Sequence, residues 1–465
     1  MDVLVIGGGV SGLATAYTIE REAERRGVEL SVQLVEADSR LGGKVDTRVQ
    51  DGFVIEAGVN GWLDSKPSTG ELCSSLGIGG ELLVSNDAAR KRFVLRCGAL
   101  HALPESPGAF VRSRLLSWGG KARLLCEPWA RASTDKDESV ADFVRRRLGP
   151  EALEALLDPM VSGVFAGDPA QLSLKSAFPR IAEIEQKYGG LIRGLLAIQR
   201  ERRTQRSPGQ QAAKVGPAPA GRLTSFAPGT KRLIEATAAA LKNPPIVGRR
   251  AVGATEIPGG FRVRFADQSP MDTKRLVVAT PAWAATRIVD GIDTALGREL
   301  AGIPYAAVAV VAMAWRRQDV HHDLAGFGFL VPSGEGCKIL GSLWDSSIFT
   351  SRAPNGYVLI RTMVGGMRHR ELALAAEADI IASVRDNLRH IMGIIAAPYL
   401  AEVFQHERAI PQYPPGHAER LNRIAERQAQ HPGLFVTGNA YRGIGINDCT
   451  AAAQKLAPRV LDNAS

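Results

Sequence analysis

Residues 2–12 read DVLVIGGGVSG; LATAYTIEREAERRG follows to residue 27, and LSVQLVE runs from Leu30 to Glu36. A β-branched apolar run, a glycine cluster, an Ala- and charge-rich stretch to Arg26 and a second apolar run spell strand, loop, helix, strand, the opening of a dinucleotide-binding unit. Gly7, Gly9 and Gly12 fit G-x-G-x-x-G. Gly7 permits the tight turn, Gly9 lets the backbone approach a pyrophosphate, and Gly12 lets helix pack on strand. The first helical N–H groups, at Val10 and Ser11, then meet the phosphate charge. Glu36 ends the second strand, where a carboxylate accepts hydrogen bonds from a ribose diol. An acid there disfavours a 2′-phosphate, so FAD or NAD is expected in preference to NADP.

The rest of the chain extends this frame. LFVTGNAYRGIGINDCTAAAQKLAPRV, from Leu434, repeats strand, glycine-rich turn and helix. Between the two ends, a helix is expected at about 231–242, strands at Phe261–Phe265 and in RLVVAT before Pro281, strands of a separate sheet at 305–315 and 357–364, and a helix over Leu372–Met392. From Ser139 to about Arg203 the pattern is mostly helical. RSPGQQAAKVGPAPAG at 206–221 reads as a mobile loop with a boundary near 205–222.

Composition sets the limits. With 465 residues and 45% hydrophobic residues the chain can bury a large core in more than one domain, which excludes disorder, collagen-like repeats and a disulfide scaffold. The longest apolar run, Tyr305–Trp315, has 11 residues, against about 20 for a membrane span. The apolar N-terminus opens with Asp2, lacks a basic leader and enters the glycine cluster, so it is expected to be a buried strand, not a signal peptide. Five isolated cysteines without a C-x-x-C pair argue for a reducing cytosol and against zinc, iron–sulfur or dithiol chemistry. The eight histidines show no metal spacing, so no metal is expected. The net charge of +9 suits an anionic membrane or an acidic small substrate. Its basic residues are scattered and not interleaved with aromatics, so nucleic acid is the weakest reading.

ADSRLGGKVDT at 37–47 and GFVIEAGVNGW at 52–62 resemble the FAD-binding signature of the amine oxidase superfamily. Farther on, RRLGPEALEALLDPMVSGVFAGDPAQLSLKSAFP (146–179), KRFVL (91–95), GFGFLVP (326–332), SSIFTSRAPNG (346–356), IPQYPPGH (410–417) and GNAYRGIGINDC (438–449) are similar, segment by segment, to the protoporphyrinogen/coproporphyrinogen oxidase family. The resemblance implies a Rossmann-like α/β FAD-binding domain (1–85, 222–285, 400–465). It further implies a mixed-sheet α+β substrate domain (86–100, 286–399) and an α-helical membrane-docking domain (101–221). It places Arg40, Leu41, Gly42 and Gly43 along the flavin diphosphate and ribityl chain, and Lys44, Gly58, Val252, Gly438, Gly445 and Ile446 among the other cofactor contacts. The segment Glu56 to Asn60 would approach the isoalloxazine.

For the substrate, the resemblance puts Arg92 on a propionate, Leu330 and Phe349 on the tetrapyrrole faces, and Gly163 and Ala166 in a turn lining the cavity. Asn60 and Lys66 complete the substrate set. A porphyrinogen losing hydride at a meso carbon and protons at pyrrole nitrogens needs a flat apolar slot and carboxylate clamps more than an acid–base dyad. A guanidinium suits a carboxylate because it binds through two parallel hydrogen bonds. Two departures stand out: Val59 replaces the family's usual Pro, and Gly61 its small hydroxyl residue. Lys66 matches the coproporphyrinogen branch, whereas Arg92 and Phe349 match the protoporphyrinogen branch.

The expected activity is FAD-dependent oxidation of protoporphyrinogen IX by O2 in heme biosynthesis, with hydrogen peroxide as by-product. Coproporphyrinogen III oxidation is the alternative, and another amine oxidase-type flavin reaction is the second. Expected partners are the tetrapyrrole, O2 and an anionic membrane surface, with a homodimer left open. Residues 102–133 mix Phe110, Leu115, Leu116, Trp118, Leu124, Leu125 and Trp129 with Arg112, Arg114, Lys121, Arg123 and Arg131. That mixture suits a surface entering the headgroup region, and the resembling family docks this region on membranes. A hairpin covering the core is the competing reading. The expected location is cytoplasmic, on the inner face of the cell membrane.

Overall fold

The strand Val3–Ile6 is buried at every residue, as a four-residue β-branched and aliphatic run with neighbours on both faces should be. Its helix, Val10–Arg26, ends where Gly27 takes the left-handed conformation (φ +67°) and donates to the carbonyls of Ala23 and Glu24. The second strand, Val32–Val35, is shorter than the apolar run Leu30–Glu36. Ser31 is held by the Asp2 carboxylate through its N–H (3.0 Å) and Oγ (2.8 Å), and Glu36 turns back to the glycine loop. The computed structural model describes residues 1–133, 135–204, 221–266 and 268–462; apart from Gly221, the loop expected at 206–221 lies outside the described residues.

The chain divides into two compact units. The first comprises Met1–Val84, Arg222–Pro304 and Glu419–Ser465. Its centre is a parallel four-stranded sheet in the order Leu434–Val436, Arg275–Val278, Val3–Ile6, Val32–Val35, with Val3 opposite both Arg275 and Val32. Val5, Leu34, Val277 and Phe435 from these strands join Leu13, Ala16, Ala453 and Val460 from the first and last helices in one core. Burying each such Val or Leu contributes roughly 1.5–3 kcal/mol.

The second unit comprises Ser85–Gly221 and Tyr305–Ala418. Its seven-stranded sheet runs Leu400–Pro411, Tyr305–Arg316, Tyr357–Gly365, Ile339–Leu343, Gly328–Leu330, Arg92–Arg96, Ala99–Ala102. Its ladders are antiparallel apart from Gly328–Leu330 against Arg92–Arg96, which makes the sheet mixed. The helical stretch expected as a domain of its own clusters with this sheet. The helix expected over Leu372–Met392 is split into Arg370–Ala373 and Glu377–Met392. Gln405 explains the break, since its side-chain amide donates to the carbonyls of Ala373 (3.0 Å) and Ala375 (2.8 Å) and Ala376 is extended.

Candidate functional site

In the first unit the glycine loop carries the geometry that its spacing implies. Gly7 has φ +113°, and a Cβ on Gly12 would lie 1.8 Å from the Gly7 carbonyl oxygen, so only glycine lets the helix sit this close to the strand. A Cβ on Gly9, by contrast, would meet nothing nearer than 3.9 Å, the carbonyl oxygen of Gly42. The backbone at Gly9 therefore faces open space. Gly42 is bridged to this loop, its N–H donating to the Gly8 carbonyl (2.8 Å). A Cβ on Gly43 would lie 3.7 Å from the Gly9 Cα, so residues 40–44 and 7–12 wall one cradle. Arg40 is exposed and donates to the Gly43 carbonyl at 2.8 Å.

Charge in the cradle is arranged for an anion at one end and hydroxyls at the other. Glu36 accepts from the Gly8 N–H at 2.5 Å and from the Asp38 N–H at 2.9 Å. Burial pushes the Lys44 amine down to about 8, against an opposing contribution from Cys449, because a cation is costly where water is excluded. Burial likewise raises the Cys449 thiol to about 11, against a hydrogen bond with Ser11 that lowers it. Thr280, which sequence reasoning did not single out, ends the strand run beside Gly7; its hydroxyl is buried without a hydrogen-bond partner among the described residues. The signal for it was its position, since ligands of parallel sheets collect at carboxyl ends of strands. An open backbone cradle, a desolvated lysine and an orphaned hydroxyl fit a dinucleotide diphosphate.

The other expected cofactor residues divide by what holds them. Glu56 is fully buried and accepts from the hydroxyls of Thr47 (2.8 Å) and Thr230 (2.7 Å) and from the Thr230 N–H (2.8 Å). It thus anchors the loop containing half-buried Gly58 and buried Asn60. Gly61 has φ +153°, and any Cβ there would lie 2.2 Å from the Thr224 carbonyl oxygen, which explains the missing hydroxyl residue. Val252 is 42% exposed at an irregularity of its strand pairing. Gly438 has φ +139°; the N–H of Gly445 donates to Asp448 at 3.1 Å, and Ile446 opens the last helix. Exposed Lys66 donates to the other Asp448 carboxylate oxygen at 2.5 Å.

In the second unit, three expected substrate residues come together. Gly328 stands opposite Arg92, and Leu330 opposite Val94, in the parallel pair of strands. A Cβ on Gly163 would lie 2.5 Å from the Leu330 Cδ2. Gly163 belongs to the helix Asp158–Phe165, which Ala166 ends in the left-handed conformation (φ +48°). Arg368 ties both sides of that turn, donating to Asp158 (2.7 Å) and Asp168 (2.9 Å). The half-buried Arg92 guanidinium lies 5.1 Å from the Phe327 ring centroid and, among the described residues, has no carboxylate within ion-pair distance. Burial first and then Arg90 lower its pKa. Phe349 is 1% exposed, with the Arg352 guanidinium 5.0 Å from its ring centroid.

Residues 10–461 match the model of the flavin-containing amine oxidoreductase family. The coproporphyrinogen III oxidase of Bacillus subtilis is 31% identical over 458 residues, covering 96% of this chain and 95% of that protein. The mitochondrial protoporphyrinogen oxidase of Nicotiana tabacum is 29% identical, covering 99% and 94%. A crystal structure from Exiguobacterium sp. 255-15, provisionally named a protoporphyrinogen oxidase, superposes with a TM-score of 0.82 at 26% identity, covering 99% of this chain and 98% of that one. With a cradle built for a dinucleotide diphosphate, the flavin is FAD, and the chain is an oxidoreductase that belongs to the flavin-containing amine oxidoreductase family.

Proposed function

We propose that the chain oxidises protoporphyrinogen IX to protoporphyrin IX in heme biosynthesis, with O2 as acceptor and one hydrogen peroxide formed per two-electron step. The observation that carries this reading is Arg92: a guanidinium drawn partly out of water, with no carboxylate partner among the described residues, beside the apolar contact of Leu330 with Gly163. Such a group is poised for an incoming carboxylate. Bound FAD supplies a two-electron acceptor. The protein binds and orients. In this reading Arg92 clamps a propionate, Leu330 and the backbone around Gly163 and Ala166 form an apolar wall, and Asn60 on its Glu56-anchored loop borders the flavin. Arg40, Gly42, Gly43 and Lys44 hold the diphosphate.

Lys66 bears on the choice of substrate. Its amine is matched by Asp448, which argues against its serving the additional carboxylates of coproporphyrinogen III. The likeness to the Bacillus subtilis coproporphyrinogen III oxidase favours the second reading, coproporphyrinogen III as substrate of the same chemistry.

Peripheral attachment to an anionic membrane, on the cytoplasmic side, belongs to the same proposal. Trp118 and Trp129 are 73% and 77% exposed, and Leu125 and Val111 are also exposed, while Leu115 and Leu116 are buried beneath. Lys121 fixes the hairpin by donating to the carbonyls of Val111 (2.8 Å) and Ser113 (2.7 Å). Among the described residues no helix is long and apolar enough to cross a membrane.

Arg92→Gln tests the clamp. A lost charge-assisted bond of about 1.5–3 kcal/mol is a KM increase of roughly 10- to 150-fold. The reacting carbon is remote from the propionate, so kcat should change little. Equal losses in kcat and kcat/KM, or an unchanged KM, contradict the assignment.

A further inference from the structure

A cavity in the first unit lies along the outer edge of the parallel sheet; none of residues 7–12 line it, and its Tyr441 approaches Gly438. Its volume is about 410 Å³, within the range of small-molecule sites. Leu421 and Ile424 of the helix His417–Ala429, Leu434 and Phe435 of the edge strand and Tyr441 supply an apolar floor, each of them at most 9% exposed. Arg442 and Arg459 also line it and are exposed.

Charge complementarity identifies the occupant. No Asp or Glu lines this cavity. Arginines and a histidine near it are neutralised: Arg420 and Arg423 pair with Glu299, Arg427 lies 3.9 Å from Asp293, and His431 faces Glu256 and Asp293. Among the described residues, Arg442 and Arg459 have no such partner. Two unmatched guanidinium groups over an apolar floor recognise an anionic head on an apolar body. We propose that this groove, which shares no lining residue with the 7–12 and 40–44 walls of the cradle, binds a small amphiphilic carboxylate.

The test uses FAD-loaded protein and laurate below its micellar concentration, titrated calorimetrically, with methyl laurate and inorganic phosphate as controls. The proposal requires saturable one-to-one binding of laurate and at least tenfold weaker binding by Arg459→Gln and by Arg442→Gln. Ala425→Phe, which fills the groove from an exposed position, should abolish binding. Methyl laurate and phosphate should each bind at least tenfold more weakly than laurate. An unchanged flavin spectrum serves as the folding control for every variant. Absent or non-saturable heat overturns the proposal, as does equal affinity in all groove variants. Loss of laurate binding in Arg92→Gln or Trp118→Ser with the groove variants unaffected would place the ligand elsewhere and overturns it too.

Discussion

Lys44 is the residue at which the cofactor reading meets electrostatics most sharply. Its amine sits at about 8, well below the ordinary 10.5, because it is buried. With the cradle empty, the folded state holds this proton less firmly than the unfolded state does. The cost is therefore full below about pH 8 and is relieved as the pH rises from 8 towards 10.5. A diphosphate reverses the balance by favouring the cation. Two outcomes are expected of Lys44→Met. Its apoprotein should be more stable than wild type below pH 8, with the difference closing above it in thermal melts. Its FAD affinity should lack the fall above pH 8 expected of wild type. Parallel pH profiles for the two proteins would remove Lys44 from the phosphate site. Residues such as Gly7, Gly9, Gly12 and Glu36 were legible because strand, loop, helix and acid lie within one short stretch. Thr280 and the constraint on Gly61 were not, since the first matters beside Gly7 and the second against Thr224, partners distant in sequence.

At the scale of elements, the hairpin around Trp118 holds buried and exposed apolar groups, with Phe110 and Leu124 half-buried between them. The sequence offered Phe110, Leu115, Leu116, Trp118, Leu124, Leu125 and Trp129 as one set, but only the fold separates Leu115 and Leu116, under the surface, from Trp118, Leu125 and Trp129 on it. Periodicity could not make that separation, because helices as short as Pro107–Arg112 and Trp118–Leu125 carry too few turns to define a face. The tryptophans are thus the better probes of membrane docking. Trp118→Ser with Trp129→Ser should reduce co-sedimentation with anionic liposomes several-fold while leaving the melting temperature within a few degrees, and high salt should weaken the wild type as well. Wild-type protein that stays in the supernatant at low salt contradicts docking. The interrupted helix before Met392 teaches the same lesson: the amide of Gln405, remote in sequence, captures Ala373 and Ala375, and no local pattern announces it.

For the whole molecule, the two units carry different kinds of information. The FAD unit was readable from its first residues because dinucleotide binding depends on backbone approach, and glycine spacing records that directly. In the second unit the residues likened to substrate contacts came from resemblance, and only the sheet order shows that Arg92 pairs across from Gly328, beside the strand that carries Leu330. In the proposed function the two units serve one reaction, in which O2 takes the electrons of a porphyrinogen by way of FAD. The most direct measurement follows porphyrin fluorescence, O2 uptake and hydrogen peroxide together when the purified yellow protein is given protoporphyrinogen IX or, separately, coproporphyrinogen III. Three O2 should be consumed and three hydrogen peroxide formed for each porphyrin, with the higher kcat/KM on protoporphyrinogen IX. Faster turnover of coproporphyrinogen III would overturn the substrate choice alone; a flavin-loaded protein that oxidises neither porphyrinogen above the uncatalysed rate would rule out porphyrinogen oxidation.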